Sequence, residues 1–324
     1  MHMADALVST PVAGAVTIIA ASLVYVACRK VKESPNEQII PLMGVMGAFI
    51  FAAQMINFTI PGTGSSGHIV GGVLLAALLG RWPAFLTLTS VLILQAFLFA
   101  DGGILALGCN IVNMGGFTCL IAYPLLFKPL IKKKSSTLML FICSILTSMV
   151  GLEMGAFAVT IETWLSGITV LPLERFLLFM LPIHLVIGIL EGIATGFVLV
   201  YIKKTQPGFF QLPEMEFSPI DKHAPRFNLK PMLLVFSLLA LVLGSAFSFI
   251  ASSFPDGLEW SIDKVTEGMV LPISDETPHI LAQLLQDYTA IMPDYNTSFA
   301  GIIGGILFIV AALVISKLYK QRYN

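Results

Sequence analysis

The 324-residue sequence predicts an all-α fold, a polytopic transmembrane helix bundle, and three observations predict it. Charged residues make up 11% of the chain and apolar ones 56%, where a soluble domain carries roughly a quarter charged residues. The mean hydropathy is +0.89. Apolar segments recur along the chain, most of them near the ~20 residues that one bilayer crossing requires. The formal net charge of −1 and the lack of a long basic run argue against nucleic acid as a partner. The lipid bilayer is the expected solvent.

The segments fall at 11–28, 39–57, 67–80, 83–100, 104–127, 136–160, 175–202, 231–250 and 298–316. The first carries small residues in heptad register, Ala13, Ala20 and Ala27, with Gly14, Ala21 and Cys28 beside them. Such a stripe admits a second helix at close range, from this chain or from a partner subunit. Ala13, Ala20, Ala21 and Ala27 are therefore candidate docking positions. The third segment is short, and at ~1.5 Å per residue it covers about two-thirds of the hydrocarbon. It is expected to begin inside the membrane.

Nine spans put the termini on opposite sides, and Lys and Arg choose between them. With the amino terminus outside, sixteen of the 18 basic residues lie in inner loops, and only Arg175 and Lys264 lie outside. The carboxyl terminus is then cytoplasmic. Residues 203–230, with Pro207, Pro213, Pro219 and Pro225, form an inner linker. It divides a seven-span block, 1–202, from a two-span block, 231–324. An outer loop, 251–297, joins the last two spans and holds eight acidic residues against one Lys. There is no internal repeat, so an inverted-repeat carrier is not favoured.

The opening residues lack the basic stretch of a secretory signal, so an uncleaved amino terminus is expected, with Met1 retained because the bulky His2 follows it. Cys28, Cys109, Cys119 and Cys143 lie in or beside apolar segments without metal-finger spacing and read as packing residues. Neither GxxxxGK[ST] nor HExxH occurs, so no nucleotide site and no zincin is expected in this chain.

Four places can carry chemistry. At Met1-His2, the free amine, the amide nitrogen between the two residues and the imidazole can close fused chelate rings on one ion, an arrangement suited to planar Ni(II) or Cu(II). The ordinary alternative is a frayed terminus. In PGTGSSGHIVGG, 61–72, the glycines permit tight turns. Ser65 or Ser66 can cap a helix starting near His68, which puts His68 on the outer side with His2. A histidine bonded to loop backbone is the plainer reading.

In LILQAFLFADGGILALGCNIVNMGG, 92–116, Gln95, Asn110 and Asn113 are amides at membrane depth, facing either a cavity or a neighbouring helix. Asp101-Gly102-Gly103 is an outer turn, and Asn110, Asn113 and Met114 share a helical face. His184 and Glu191 lie seven residues apart in one span, with Glu153 in the span before, and suggest a buried network supporting the site. Ser66, Gln95, Asn110, Asn113, His184 and Glu191 are thus candidates for supporting or pathway residues.

The stretches MHMADALVS, GTGSSGHIVGG, QAFLFADGGILALGCNIVNMG and IHLVIGILEGIATGFV (183–198), in this order, resemble the CbiM/NikM family. That family is the substrate-capture component of energy-coupling-factor (ECF) transporters for cobalt and nickel. FPDGLEW, 254–260, resembles the small PDGLE-type accessory component, fused here to the first block. The resemblance implies that Ni(II) or Co(II) is the transported substrate, held by the Met1 amine, the His2 amide nitrogen and imidazole, and the His68 imidazole. It also implies a transmembrane coupling protein and cytoplasmic ATPases as partners, in the bacterial cytoplasmic membrane. The fusion and the planar nitrogen set point to nickel ahead of cobalt. Asp256 and Glu259 are hard ligands poorly matched to such a site, so they are expected to shape the turn at Gly257 without coordinating metal.

Two rival readings use the same residues. One is an ion-coupled carrier working alone, with Glu153 and Glu191 relaying protons. The other is an intramembrane metal-dependent enzyme built on His68, His184 and Glu191, for which no nucleophile and base can be assembled.

Overall fold

The computed structural model describes residues 1–33, 39–131, 135–205, 230–245, 251–269, 271, 275–293, 303–307 and 310. Most of the linker 203–230 and of the last apolar segment, 298–316, lies outside the described residues. The described chain is a helical bundle. Five of its helices are long and apolar enough to cross a membrane.

A short helical turn, Asp5–Leu7, precedes α1 (Thr10–Glu33). Then follow α2 (Ile39–Gln54), a two-stranded antiparallel hairpin of β1 (Phe58–Ile60) and β2 (Ser65–Gly67), α3 (Gly72–Leu79) and α4 (Arg81–Leu98). The next crossing, Leu107–Leu130, is one rod in three windings. It runs from α5 (Leu107–Asn110) through a π-helix (Ile111–Phe127) to α6 (Lys128–Leu130). Two long helices, α7 (Thr137–Ser166) and α8 (Leu173–Thr205), complete the first block. The described part of the second block holds α9 (Lys230–Ser245), α10 (Gly257–Thr266) and α11 (Thr277–Thr289).

The helices are held by close backbone approach, as expected where lipid removes the hydrophobic drive between apolar surfaces. Gly188, Gly192 and Gly196 repeat every fourth residue on α8. A Cβ at Gly192 would stand 2.3 Å from the Ile145 Cα of α7. On α1 the buried residues are Ala13, Ala20 and Ala27. The helix packs there on α4, α5 and the π-helix, with the Thr17 Cα 2.5 Å from where a Cβ at Gly108 would sit. Those three alanines are thus used inside the chain and cannot form a docking face, because their surface is already covered. Ala21 is exposed, as are Ile18, Ile19 and Tyr25.

The third segment is indeed a short helix, but it does not begin at His68. Ser65–Gly67 is a strand, and Gly71, with φ +78°, precedes α3 without any side-chain cap. The free N–H groups ahead of α3 are taken by Glu191 of α8, which accepts from Val70 at 2.7 Å and Gly71 at 3.0 Å. A buried carboxylate does the work that a capping serine was expected to do. Ser66 instead donates its hydroxyl to the Phe254 carbonyl at 2.7 Å.

Candidate metal centre

The amino terminus is packed into the mouth of the bundle, not frayed. Met3 has no exposed surface, and Met1 is 4% exposed. Asn110 clamps the Met3 main chain on both sides, accepting its N–H at 2.7 Å and donating to its carbonyl at 3.1 Å. The same carbonyl accepts from Gly103 N–H at 2.9 Å. Asp5 accepts the Ala106 N–H at 2.9 Å, and Ser166 accepts the Ser9 N–H at 2.9 Å. The Met1 side chain reaches α7, where its methyl would stand 2.6 Å from a Cβ at Gly155. Asn110 therefore anchors the segment, and Asn113, bonded to Glu162 at 2.7 Å, ties the π-helix to α7.

This threading places the Met1 amine 3.4 Å from His68 Nε2. For comparison, two nitrogens each ~2.0 Å from one ion and at right angles are ~2.8 Å apart. The His2 and His68 rings stack, with centroids 5.1 Å apart and planes at 17°. His2 Nδ1 lies 3.0 Å from Asp101 Oδ1, while His2 Nε2 is buried without a hydrogen-bond partner. Gln95 is fully buried beside His2, its amide unbonded at normal geometry yet near enough to favour the ring's charged form. Burial, reinforced by the positive amino terminus, lowers both imidazoles to a pKa of about 3. Both rings are therefore neutral, with lone pairs available, across the physiological range.

The second block closes the site. Asp256 begins α10 as one half of a capping box. Its Oδ1 accepts from Glu259 N–H at 2.8 Å, and Glu259 accepts from Asp256 N–H at 3.2 Å. The other oxygen, Oδ2, stands 2.5 Å from the Met1 amine and 3.9 Å from His68 Nε2. Burial alone would raise this carboxyl, but the ammonium and His68 hold it well below the usual carboxylate range. The loop is pinned by main-chain bonds, Ser66 N–H to the Pro255 carbonyl at 2.8 Å and Trp260 Nε1–H to the Thr63 carbonyl at 3.0 Å.

The expected shaping role of Asp256 and Glu259 is present. Sequence reasoning missed that the same carboxylate reaches the amine, a contact spanning 255 positions. The role of Asp101 as His2's partner was also missed. The available signal was an acid in an outer turn at the level assigned to His2.

His184 and Glu191 share the buried face of α8 but form no common network. His184 Nδ1 is bonded to the Met180 carbonyl at 2.8 Å, one turn back, and Glu191 is spent on Val70 and Gly71. The other His184 nitrogen, Nε2, is buried without a partner, and its ring lines a small cavity with Met1, His68, Asp256 and Gly257. Among the described residues no three His, Cys, Asp or Glu side chains converge on a common ion position. Side chains of these types alone therefore do not complete a ligand set among the described residues.

Comparison with known proteins gives a consistent result. Residues 2–209 match the family described as CbiM, cobalt uptake substrate-specific transmembrane region, and residues 230–321 match the PDGLE domain. The chain is 30% identical over 335 residues to the "Probable fused nickel transport protein LarMN" of Lactiplantibacillus plantarum, covering 98% of this chain and 96% of that one. It is 42% identical over 115 residues to the "Fused nickel transport protein NikMN" of Rhodobacter capsulatus, covering 35% and 33%. The crystal structure of a truncated transition metal transporter superposes with a TM-score of 0.54 at 31% identity, covering 63% of this chain and 99% of that one.

Proposed function

The chain belongs to the CbiM family, a membrane component of cobalt and nickel transport and not an enzyme, and from that premise we propose how it takes its ion. It is the substrate-capture subunit of an ATP-driven ECF importer. It binds Ni(II) or Co(II) through the Met1 amine, the His2 amide nitrogen and imidazole, and the His68 imidazole. Residues 1–202 form the capture block and 231–324 the accessory block, joined by 203–230. The amino terminus faces outward across the bacterial cytoplasmic membrane, and a coupling protein and cytoplasmic ATPases supply the work.

The observation that carries this reading is the buried Met1 amine set between His68 Nε2 and Asp256. Charge balance supports it. Without metal the site holds an ammonium, one positive charge. With a divalent ion, a neutral amine and a deprotonated amide, it again holds one positive charge. Asp256 balances the site equally in both states, so exchanging protons for metal leaves the buried charge unchanged.

The geometry also sets a requirement. The six-membered chelate ring closes only through His2 Nδ1, the nitrogen that now faces Asp101. Loading therefore turns the His2 ring about Cβ–Cγ, and Nε2 takes over the outward bond. The test is nickel binding by full-length protein with a native amino terminus against protein extended by one residue ahead of Met1. Equal affinity would remove the amine from the ligand set.

The carrier reading keeps one observation, the buried and unpartnered Glu153 Oε1 in α7. Metal uptake by cells lacking the ATPases would favour it.

A further inference from the structure

α11 is amphipathic in the reverse sense to a helix on a soluble protein. At 100° per residue, Ile280, Leu281, Leu284, Leu285 and Tyr288 fall within an arc of about 140°. All are exposed, Tyr288 at 88%, and Ile291 just beyond the helix is exposed too. The buried residues of the helix are His279, Ala282 and Gln286, on the opposite side. Two of them are polar and each bonds the capture block. His279 Nε2 bonds the Val8 carbonyl at 2.9 Å. Gln286 Nε2 donates to the Ala96 carbonyl at 2.9 Å and the Gly102 carbonyl at 2.8 Å. A third, narrow side carries Gln283 and Asp287, exposed and bonded to each other at 2.8 Å. The helix thus turns a polar side to protein, an apolar side outward and a strip of polar groups between them.

Its position identifies what covers the apolar side. Glu276, at the start of α11, accepts the hydroxyl of Thr10, the first residue of α1, at 2.6 Å. Met292 N–H donates to the carbonyl of Leu98, the last residue of α4, at 3.2 Å. Both α1 and α4 qualify as membrane spans. α11 therefore lies across the ends of two spans, at the level where water gives way to hydrocarbon, and α1 directly beside it exposes Ile18 and Ile19.

We propose that α11 is an interfacial helix that rests its Ile280–Leu284–Tyr288 face in the outer boundary of the bilayer hydrocarbon. The occupant is lipid, and the attraction is apolar burial. The helix has no Lys or Arg and one acid, Asp287, so anionic headgroups add nothing. Tyr288 suits the boundary, with its ring in the apolar layer and its hydroxyl in water. One consequence concerns the site. Gly102, held by Gln286, stands against His2, whose Cβ would be 3.3 Å from a Cβ at Gly102. The bilayer thereby steadies one wall of the metal centre through α11. The proposal is independent of which ligands hold the metal.

The test uses full-length protein in phosphatidylcholine nanodiscs, with Cys28→Ala to remove the one exposed thiol. A bimane fluorophore is attached in turn to Leu281→Cys, Leu284→Cys and Gln283→Cys. Labels at Leu281 and Leu284 should emit further to the blue, be quenched by lipid carrying a doxyl group at carbon 5, and resist aqueous iodide. The label at Gln283 should show the opposite pattern. Added phosphatidylglycerol or salt should change neither. Equal iodide quenching at Leu284 and Gln283 would place the helix in water and overturn the proposal. Protection of Leu281 and Leu284 from both quenchers would overturn it in favour of a protein cover, a second copy of this chain.

Discussion

The two regions that meet at the proposed metal centre are built differently. The first nine residues are bound to the bundle through main-chain groups. Asn110 and Gly103 hold Met3, and Ser166 holds Ser9. The loop of the second block rests on top, held by Ser66, Trp260 and α11, and it contributes one carboxylate to the interior. The first region can supply donors in fixed geometry. The second supplies charge and cover. Removing a part of each should therefore have different consequences, and the difference can be measured.

The largest effect should come from the first region. An extension ahead of Met1, or His68→Ala, removes a proposed ligand. Groups that merely orient a ligand are worth ~10–100-fold in metal affinity, so each of these changes should cost at least ~100-fold in calorimetric nickel titrations. The fold should survive, since helical circular dichroism depends on the spans. Binding retained within ~10-fold by His68→Ala would move the site elsewhere.

Next comes Asp101→Ala, which removes the carboxylate beside His2 Nδ1. Its expected cost is ~10–100-fold in affinity, because the imidazole loses its orienting partner. An unchanged affinity would show that Asp101 plays no part in the loaded state.

A smaller effect is expected from the second region. Asp256→Asn keeps a good helix cap for α10 and removes the counter-charge. Because that charge balances metal-free and loaded sites alike, nickel affinity should shift by less than ~10-fold. Deleting 203–324 should likewise leave equilibrium binding nearly unchanged while lowering uptake in cells. Loss of binding in the truncated protein would make the loop a source of ligands and erase the contrast.

The last effect concerns pH and acts on stability, not on metal affinity. His2 and His68 bind protons with a pKa of about 3 in the folded protein against an ordinary 6.5. Between those values the unfolded chain holds more protons, so stability rises with pH. The contribution is complete above about 6.5 and is lost as pH falls toward 3. Asp256, held below its ordinary range, adds a loss at still lower pH. The apparent melting midpoint should drop by several degrees from pH 7 to pH 5. The drop should shrink when both histidines are replaced by glutamine, and an equal drop in that variant would assign it to other groups.

Much of this was legible from residue order. The apolar segments up to 231–250 each contain an observed helix, and five of these helices are long enough to cross a membrane, because a span must satisfy its own backbone. The heptad of Ala13, Ala20 and Ala27 signalled close packing, though not whose helix fills it. Ser65–Gly67 was unreadable as a strand because half its support is distant: Ser66 bonds Phe254 and Pro255 of the other block. Glu191 gave no sign of serving Val70 and Gly71, and Asp256 none of reaching Met1, because such pairings are fixed by tertiary packing and leave no local period. That His2 and His68 meet was legible, because both lay on the side assigned to the outside.

The central claim, an ion held by a deprotonated amine and a deprotonated amide, is tested most directly by counting protons. Nickel is titrated calorimetrically into the full-length protein at pH 7 in buffers of different ionisation enthalpy. With both imidazoles already neutral, the protons released come from the amine and the amide, and the account predicts about two per ion. Zero release, or a release unchanged by an extension ahead of Met1, would contradict it.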